Sequence, residues 1–249
     1  MASKIIVDQL QKTGGSTAAL TLPTSNASAS EFLQNDGAGA LSWASAAAGF
    51  SGVHHTTAAS STYTVPAGIT KLLVFITGGG GSGGAGGSQY GTGGGAATTV
   101  IAHVTVVPTD TITIAIGAGG GAQGSANTDG SAGGNSTFTH ASGSGTFDTI
   151  TAPGGSQGKY NAVNTGPTAG TVGSSNDGIS ILGGWGGQEI AGNGGASFWG
   201  GGGQSTAPSK QQAQDATAYG SGGGGGSSTT SYHASGAGAD GICFIMEYK

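Results

Sequence analysis

Arginine is absent from this 249-residue chain, and its six lysines stand far apart, with none between Lys71 and Lys159. Nucleic-acid tracks and phosphate clamps depend on clustered cations, so the sequence excludes nucleic acid as a partner. Charge of either sign is scarce: 7% of residues are charged and the formal net charge is −5. Disordered chains usually stay solvated through charge, so this is not a typical disordered polymer. Cys243 is the single cysteine, which excludes disulfides within the chain and a thiolate metal cluster. Neither metal nor cofactor is expected. No apolar run approaches the roughly 20 residues of a membrane-spanning helix, so the chain is expected not to be membrane-embedded. The opening "MASKIIVDQLQK" holds a four-residue apolar stretch and no leader pattern, which points to a soluble protein made inside a cell. Amphipathic helical spacing is missing as well, and the expected class is all-β with little or no α-helix.

Glycine fills the space: 56 residues, so that Gly and Pro together make one residue in four. Such a level without a strict period ordinarily marks low complexity or disorder. No Gly-X-Y register persists, which excludes a collagen-like triple helix. Three regions differ in composition. Residues 1–50 hold few glycines and read as a small β-rich module, "KIIV", "ALTLP" and "EFLQNDGAGALSWA", the last with a turn signal at "NDGAG". Residues 51–60 fall in a small, uncharged stretch and read as a neck or linker. Residues 61–249 alternate strand signals, at 62–65, 71–77, 97–107, 111–116, 136–139, 146–151, 179–182 and 241–248, with glycine runs.

The stretch "LLVFITGGGGSGGAGG", residues 72–87, shows the problem those runs pose. Gly81, Gly83 and Gly86 satisfy the G-x-G-x-x-G spacing of a dinucleotide fold, but they lead into more glycine and then a strand, without the helix and acidic residue that fold requires. No lysine comes directly after any run, which excludes a Walker-type phosphate loop. A flexible linker fits poorly, because strands flank each run within a few residues. The remaining reading is an ordered array of left-handed threefold helices of the polyproline II type. Such helices make no internal hydrogen bonds, so bare main chains lie side by side and bond N–H to C=O between runs. Ordering a residue costs about 1–2 kcal/mol and a hydrogen bond returns roughly 1 kcal/mol. A single glycine helix therefore does not hold itself together, and the array must be cooperative.

"YTVPAGITKLLVFITGGGGSGG" resembles the opening of the glycine-rich domains of bacteriophage tail-fibre and related virion proteins. "GGNSTFTH", "ITAPGGSQG", "AYGSGGGGG" and the closing "GAGADGICFIMEYK" are similar to the same family. The N-terminal "TLPTSNASASEFLQNDGAGALSWAS" resembles a short module common at the start of tail-fibre-like proteins, especially in phages of marine bacteria. The resemblance implies a virion tail appendage assembled in the host cytoplasm as a homotrimer. Its N-terminal module would attach to other tail proteins, and its glycine-rich domain would meet a bacterial surface receptor, glycan or outer-membrane protein. A purely structural virion component is the alternative.

On that scaffold the segments between glycine runs become exposed loops, where binding residues tend to sit. Tyr90, Tyr160, Tyr219, Tyr232 and His233 are the candidate receptor-binding residues, set among Ser, Asn, Gln, Thr and Gly as in antibody loops. The other reading of each tyrosine is a cover for the end of a glycine layer. Trp185, Phe198 and Trp199 read as bulky plugs of a side-chain-poor core, with sugar stacking the other reading. His54 and His55 are adjacent in an extended segment and so point to opposite faces, which favours a solvated neck over a metal ring. The acids are scattered singly, and no catalytic residue is assigned. A polysaccharide depolymerase would require Asp129, Asp148 and Asp177 to converge in the fold. Cys243 is expected to be a small core residue.

Overall fold

The structure, a computed structural model, describes residues 9–10, 20–21, 23–27, 31–35, 40–45, 49–87, 90–125, 127–161, 176–188, 192–205, 212–226 and 233–249. The chain forms two compact units, Met1–Gly49 and Phe50–Lys249. The described residues are all-β, with no helix among them. In the first unit β1 (Gln9–Leu10) pairs with β2 (Leu20–Thr21), and β3 (Glu31–Asn35) forms a hairpin with β4 (Leu41–Ser45) around the segment read as a turn. The indole N–H of Trp43 donates to the Ser25 carbonyl at 2.6 Å.

The second unit begins with a β-sandwich. One sheet contains, in spatial order, β12 (Asp177–Ile181), β8 (Thr99–Thr105), β7 (Lys71–Thr77), β13 (Ile242–Tyr248) and β5 (Phe50–Thr56). The other contains β11 (Ile150–Ala152), β10 (Ser136–Ser142), β9 (Thr111–Ala115) and β6 (Ser60–Thr64). Every pairing in these two sheets is antiparallel. Alternate residues turn inward, as the two-residue period of a strand requires. Leu72, Val74 and Ile76 of β7 thus meet Ile112 and Ile114 of β9 and Phe138 of β10 in one core, with Cys243 and Ile245 of β13. The Tyr63 hydroxyl crosses the sandwich to donate to Glu247 Oε1 at 2.8 Å, and burial together with that carboxylate raises its pKa.

Residues 51–60 are not a neck. Phe50–Thr56 is the edge strand of the larger sheet, paired with β13, and Ser60 already opens β6. Small uncharged residues concealed the strand, because the apolar alternation on which such readings rely is weak here. The two histidines do face opposite ways, but His54 is half-buried, with its ring centroid 5.1 Å from that of Tyr63, while His55 is exposed.

Most of the strands run straight into, or grow straight out of, a glycine run. Residues 78–86 leave β7, and residues 91–98 lead into β8. Along the first of these runs the amide donors change partner with every step and return to the same neighbour every third residue. Gly78, Gly81 and Gly84 donate to Thr98, Gly95 and Thr92. Gly79, Ser82 and Ala85 donate to Gly134, Ser131 and Thr128, and Gly80 and Gly83 to Ala239 and Gly236. The carbonyls serve a further set: Gly79 and Ser82 accept from Gly155 and Gly158, Gly81 and Gly84 from Gly223 and Gly226, and Gly80 from Gly120. A period of three is the signature of the threefold glycine helix. This central helix is therefore bonded to surrounding runs on all sides, antiparallel to its donor-side neighbours and parallel to 155–158 and 223–226.

Glycine is needed for approach. A Cβ at Gly80 would fall on the Ser221 carbonyl, and one at Gly81 on that of Ser156, well inside van der Waals contact. Ser82 is tolerated because its Oγ accepts from the Ser131 amide at 2.8 Å. Where strands become glycine helices, hydroxyls take up the change of geometry. Thr77 Oγ1 lies 2.8 Å from Thr99 Oγ1 and accepts from the Trp199 indole at 2.8 Å. Ser136 Oγ donates to the Thr77 carbonyl and accepts from the Gly117 amide.

At the opposite end of the sandwich, buried Asp110 ties two loops together by accepting from the amides of Val107 at 3.0 Å and Gly145 at 3.2 Å. Burial alone would raise its pKa, but the amides of Val107, Gly145 and Ser144, with His140 alongside, hold it below the ordinary carboxylate range. A depressed folded value means that the stabilisation is present above the unfolded pKa of about 4 and is lost as pH falls through the folded value. Asp110→Asn is expected to destabilise the protein by about 1–3 kcal/mol at neutral pH. Thermal melts from pH 7 to pH 2 should show the gap to the unmodified chain closing in acid; a gap independent of pH would refute the assignment.

Candidate functional site

The glycine runs project away from the sandwich, and the described residues at the far ends of several of them form the candidate site. Residues 91–98 lie antiparallel to 153–159: Thr92, Gly95 and Thr98 donate to Lys159, Ser156 and Pro153. One further step in this register brings Tyr90 and Tyr160 to the same place. Gly91 pairs with Tyr160, and the Asn161 amide donates to the Tyr90 carbonyl at 3.1 Å. Asn161 takes a left-handed backbone, φ 51°. Gly86 pairs with His233, which places that residue at the same end.

Asp129 organises this tip. Its Oδ1 accepts from the Tyr160 amide at 2.8 Å and its Oδ2 from Lys159 Nζ at 3.0 Å. Burial would raise its pKa, but the Tyr160 amide and the Lys159 ammonium outweigh that and lower it. The backbone beneath is fixed by Thr92, whose Oγ1 accepts from the Lys159 amide at 2.7 Å. Tyr90, 36% exposed, and half-buried Tyr160 thus stand in the chain beside a bonded carboxylate and ammonium, residue types able to stack on a flat ligand and hydrogen-bond its rim.

Not all the sequence-derived candidates gather here. Tyr219 belongs to the sandwich end: Gly220 beside it donates to Asp240, and Ala97 donates to Gly220. From Ala97 to Gly91 the bundle extends six residues, which at 3.1 Å per residue separates Tyr219 from the tip by about 19 Å. Tyr232 lies outside the described residues, as does much of the loop sequence around it. Trp185 is not a core plug but 59% exposed, and Phe198 is 46% exposed; Trp199 alone is partly covered, through its bond to Thr77. Cys243 is in the core. Asp129, Asp148 and Asp177 do not converge. Asp129 is at the tip, Asp177 in β12 of the sandwich, and the Asp148 carbonyl is bonded by Asn176 next to that strand. Sequence reading missed Asp129 as the anchor of Tyr160, since only the register of the glycine helices brings residues 31 positions apart together.

Among the described residues no group of three or more His, Cys, Asp or Glu side chains could hold a metal ion, and no helix is long and apolar enough to cross a membrane. Fold and site together define a β-sandwich carrying a bundle of threefold glycine helices, with Tyr90, Tyr160 and His233 at its far end. The chain belongs to the glycine-rich domain family, whose pattern matches residues 55–248. No curated protein matches it.

Proposed function

We propose that the protein is a virion appendage of the tail-fibre kind, an adhesin that binds a bacterial surface through loops on its glycine-rich scaffold. In this reading the chain works as a homotrimer, is joined to other tail proteins through Met1–Gly49 and has no catalytic role. The observation that carries the reading is the bonded bundle itself. Threefold helices that lock one another through their amides make a stiff support, and a stiff support spares the loops at its end the ordering cost of binding. Tyr90 and Tyr160 supply rigid aromatic area there, His233 stands at the same end, and the Asp129–Lys159 pair supplies polar contacts. Such a set suits a glycan or a polar protein loop, because it combines stacking with adaptable hydrogen bonding.

Whole cells from a panel of marine bacterial isolates, incubated with the fluorescently labelled full chain, provide the test. Cells that bind the unmodified chain are expected to bind the Tyr90→Ala, Tyr160→Ala, His233→Ala triple variant at least tenfold less, with its melting temperature retained. Tyr219→Ala should bind normally, because its side chain belongs to the other end. Equal binding by the triple variant, or loss of binding on Tyr219→Ala alone, would refute the tip as the receptor site.

A further inference from the structure

The two outer faces of the sandwich are chemically different. On the four-stranded sheet Thr62, Thr113 and Thr139 stand side by side in one row, and Thr64 and Thr111 in the next. Short hydroxylated side chains of this kind are readily hydrated and need no cover. On the five-stranded sheet a row made of Ile179, Ile101, Phe75, Phe244 and His55 crosses every strand. The next row places Leu73, Met246 and Val53 side by side. Ile179 is 60% exposed and Val53 48%, and Phe198 reaches over Phe75 with the rings 6.2 Å apart. The chain has seven phenylalanines, and four of them, Phe50, Phe75, Phe198 and Phe244, are on this face. A sequence so short of large side chains places more of its phenylalanines there than in its core, where Phe138 is fully buried and Phe147 packs against the cluster.

We propose that this face is where copies of the chain meet, the five-stranded sheet of one against that of the next. Five strands of up to seven residues, about 4.8 Å apart and rising about 3.3 Å per residue, span roughly 24 by 23 Å. That is about 550 Å² per copy and about 1,100 Å² for the pair, above the ~1,000 Å² expected of a specific interface. The charge of the face also fits a second copy. It carries Lys71 and Asp177, one of each sign, beside His103. Two such faces therefore do not repel, whereas a strongly charged partner would find no counterpart. Packing sheet on sheet at about 10 Å would bury the apolar rows as the sandwich buries its own core. The inference is independent of the homotrimer proposed above, since a full face-to-face contact joins two copies, and it uses none of the tip residues, so the two fail separately: one is read as mass, the other as binding to cells.

Sedimentation velocity on the full chain is expected to give an even multiple of the monomer mass. Val53→Glu with Ile179→Glu should halve that mass, while Thr62→Glu with Thr139→Glu on the opposite face should leave the assembly intact. If the glutamate pair fails to fold, judged by far-ultraviolet circular dichroism, Val53→Thr with Ile179→Thr keeps the β-branched shape and should weaken association about tenfold. A monomeric or trimeric unmodified chain would overturn the proposal, including a monomer in which Met1–Gly49 covers the face. So would assembly that persists at full strength in the Val53 and Ile179 variants, or that is lost equally in the threonine-face variant.

Discussion

Replacing Gly80 by alanine is expected to destabilise the protein by about 3 kcal/mol or more, a large loss for one added methyl group. At an ordinary exposed position the same change is neutral or stabilises by about 0.4–1 kcal/mol, because alanine restricts the unfolded chain. The sign reverses at Gly80 because the new Cβ has no open direction: the Ser221 carbonyl and the backbone before it already occupy its place. Backbone cannot step aside as a flexible side chain can. To make room, the central helix would have to move from its neighbour and lengthen the bonds from Gly80 to Ala239 and from Gly120 to Gly80, 2.8 Å each. Gly121 is the control, since an added Cβ there meets nothing within 4 Å. Gly121→Ala should stay within about 0.5 kcal/mol of the unmodified chain. Urea denaturation of the three proteins decides the matter, and equal stabilities would mean that the glycine helices are not closely packed.

Hydrogen exchange gives the second large effect. The amides of Gly79 to Ala85 are expected to exchange about a thousandfold more slowly than unprotected glycine amides, which corresponds to opening at about 4 kcal/mol. Glycine carries no side chain to screen its amide, so protection of this size has to come from the bonds themselves. Those bonds reach separate segments of chain, ending at Thr92 and Gly95, at Thr128 to Gly134, and at Gly236 and Ala239. Releasing one amide locally would leave its partners unpaired in a buried place, so exchange should proceed through cooperative opening of the bundle. Rates near those of an unstructured chain across these residues would return the runs to the flexible-linker reading.

The strands were legible because the relevant signal is local. The apolar residues of "KLLVFIT" and "ICFIMEY" place β7 and β13 within a residue of their observed bounds. Glycine on either side of such runs shows where strand geometry stops. The hairpin of β3 and β4 comes from a turn sequence between two apolar patches. Phe50–Thr56 was not legible, since it holds its place as an edge strand through pairing with β13 rather than through its own pattern. A neighbour almost 200 residues away leaves no trace in a local window.

The candidate site divides in the same way. Tyrosine within polar, glycine-rich connections selects Tyr90 and Tyr160 as candidates, and the fold brings these two together. The same criterion selects Tyr219, which the fold places at the sandwich end, and local composition reads Trp185 as core although it is 59% exposed. Composition reports which side chains stand beside glycine runs but not at which end of a helix they emerge.

Absence of cation clusters, strand content, and the reliance on bare main chain were written in the residues, because each depends on side-chain chemistry or its lack at the position concerned. Which run touches which, that Asp129 holds Tyr160, and that one outer sheet face is apolar while the other is lined with threonine emerged only with the chain folded. Glycines are interchangeable as letters, and a hydrogen bond between two of them is specified by register and distance alone. Register and distance are properties of the assembled bundle, fixed by strands that anchor each run in the sandwich.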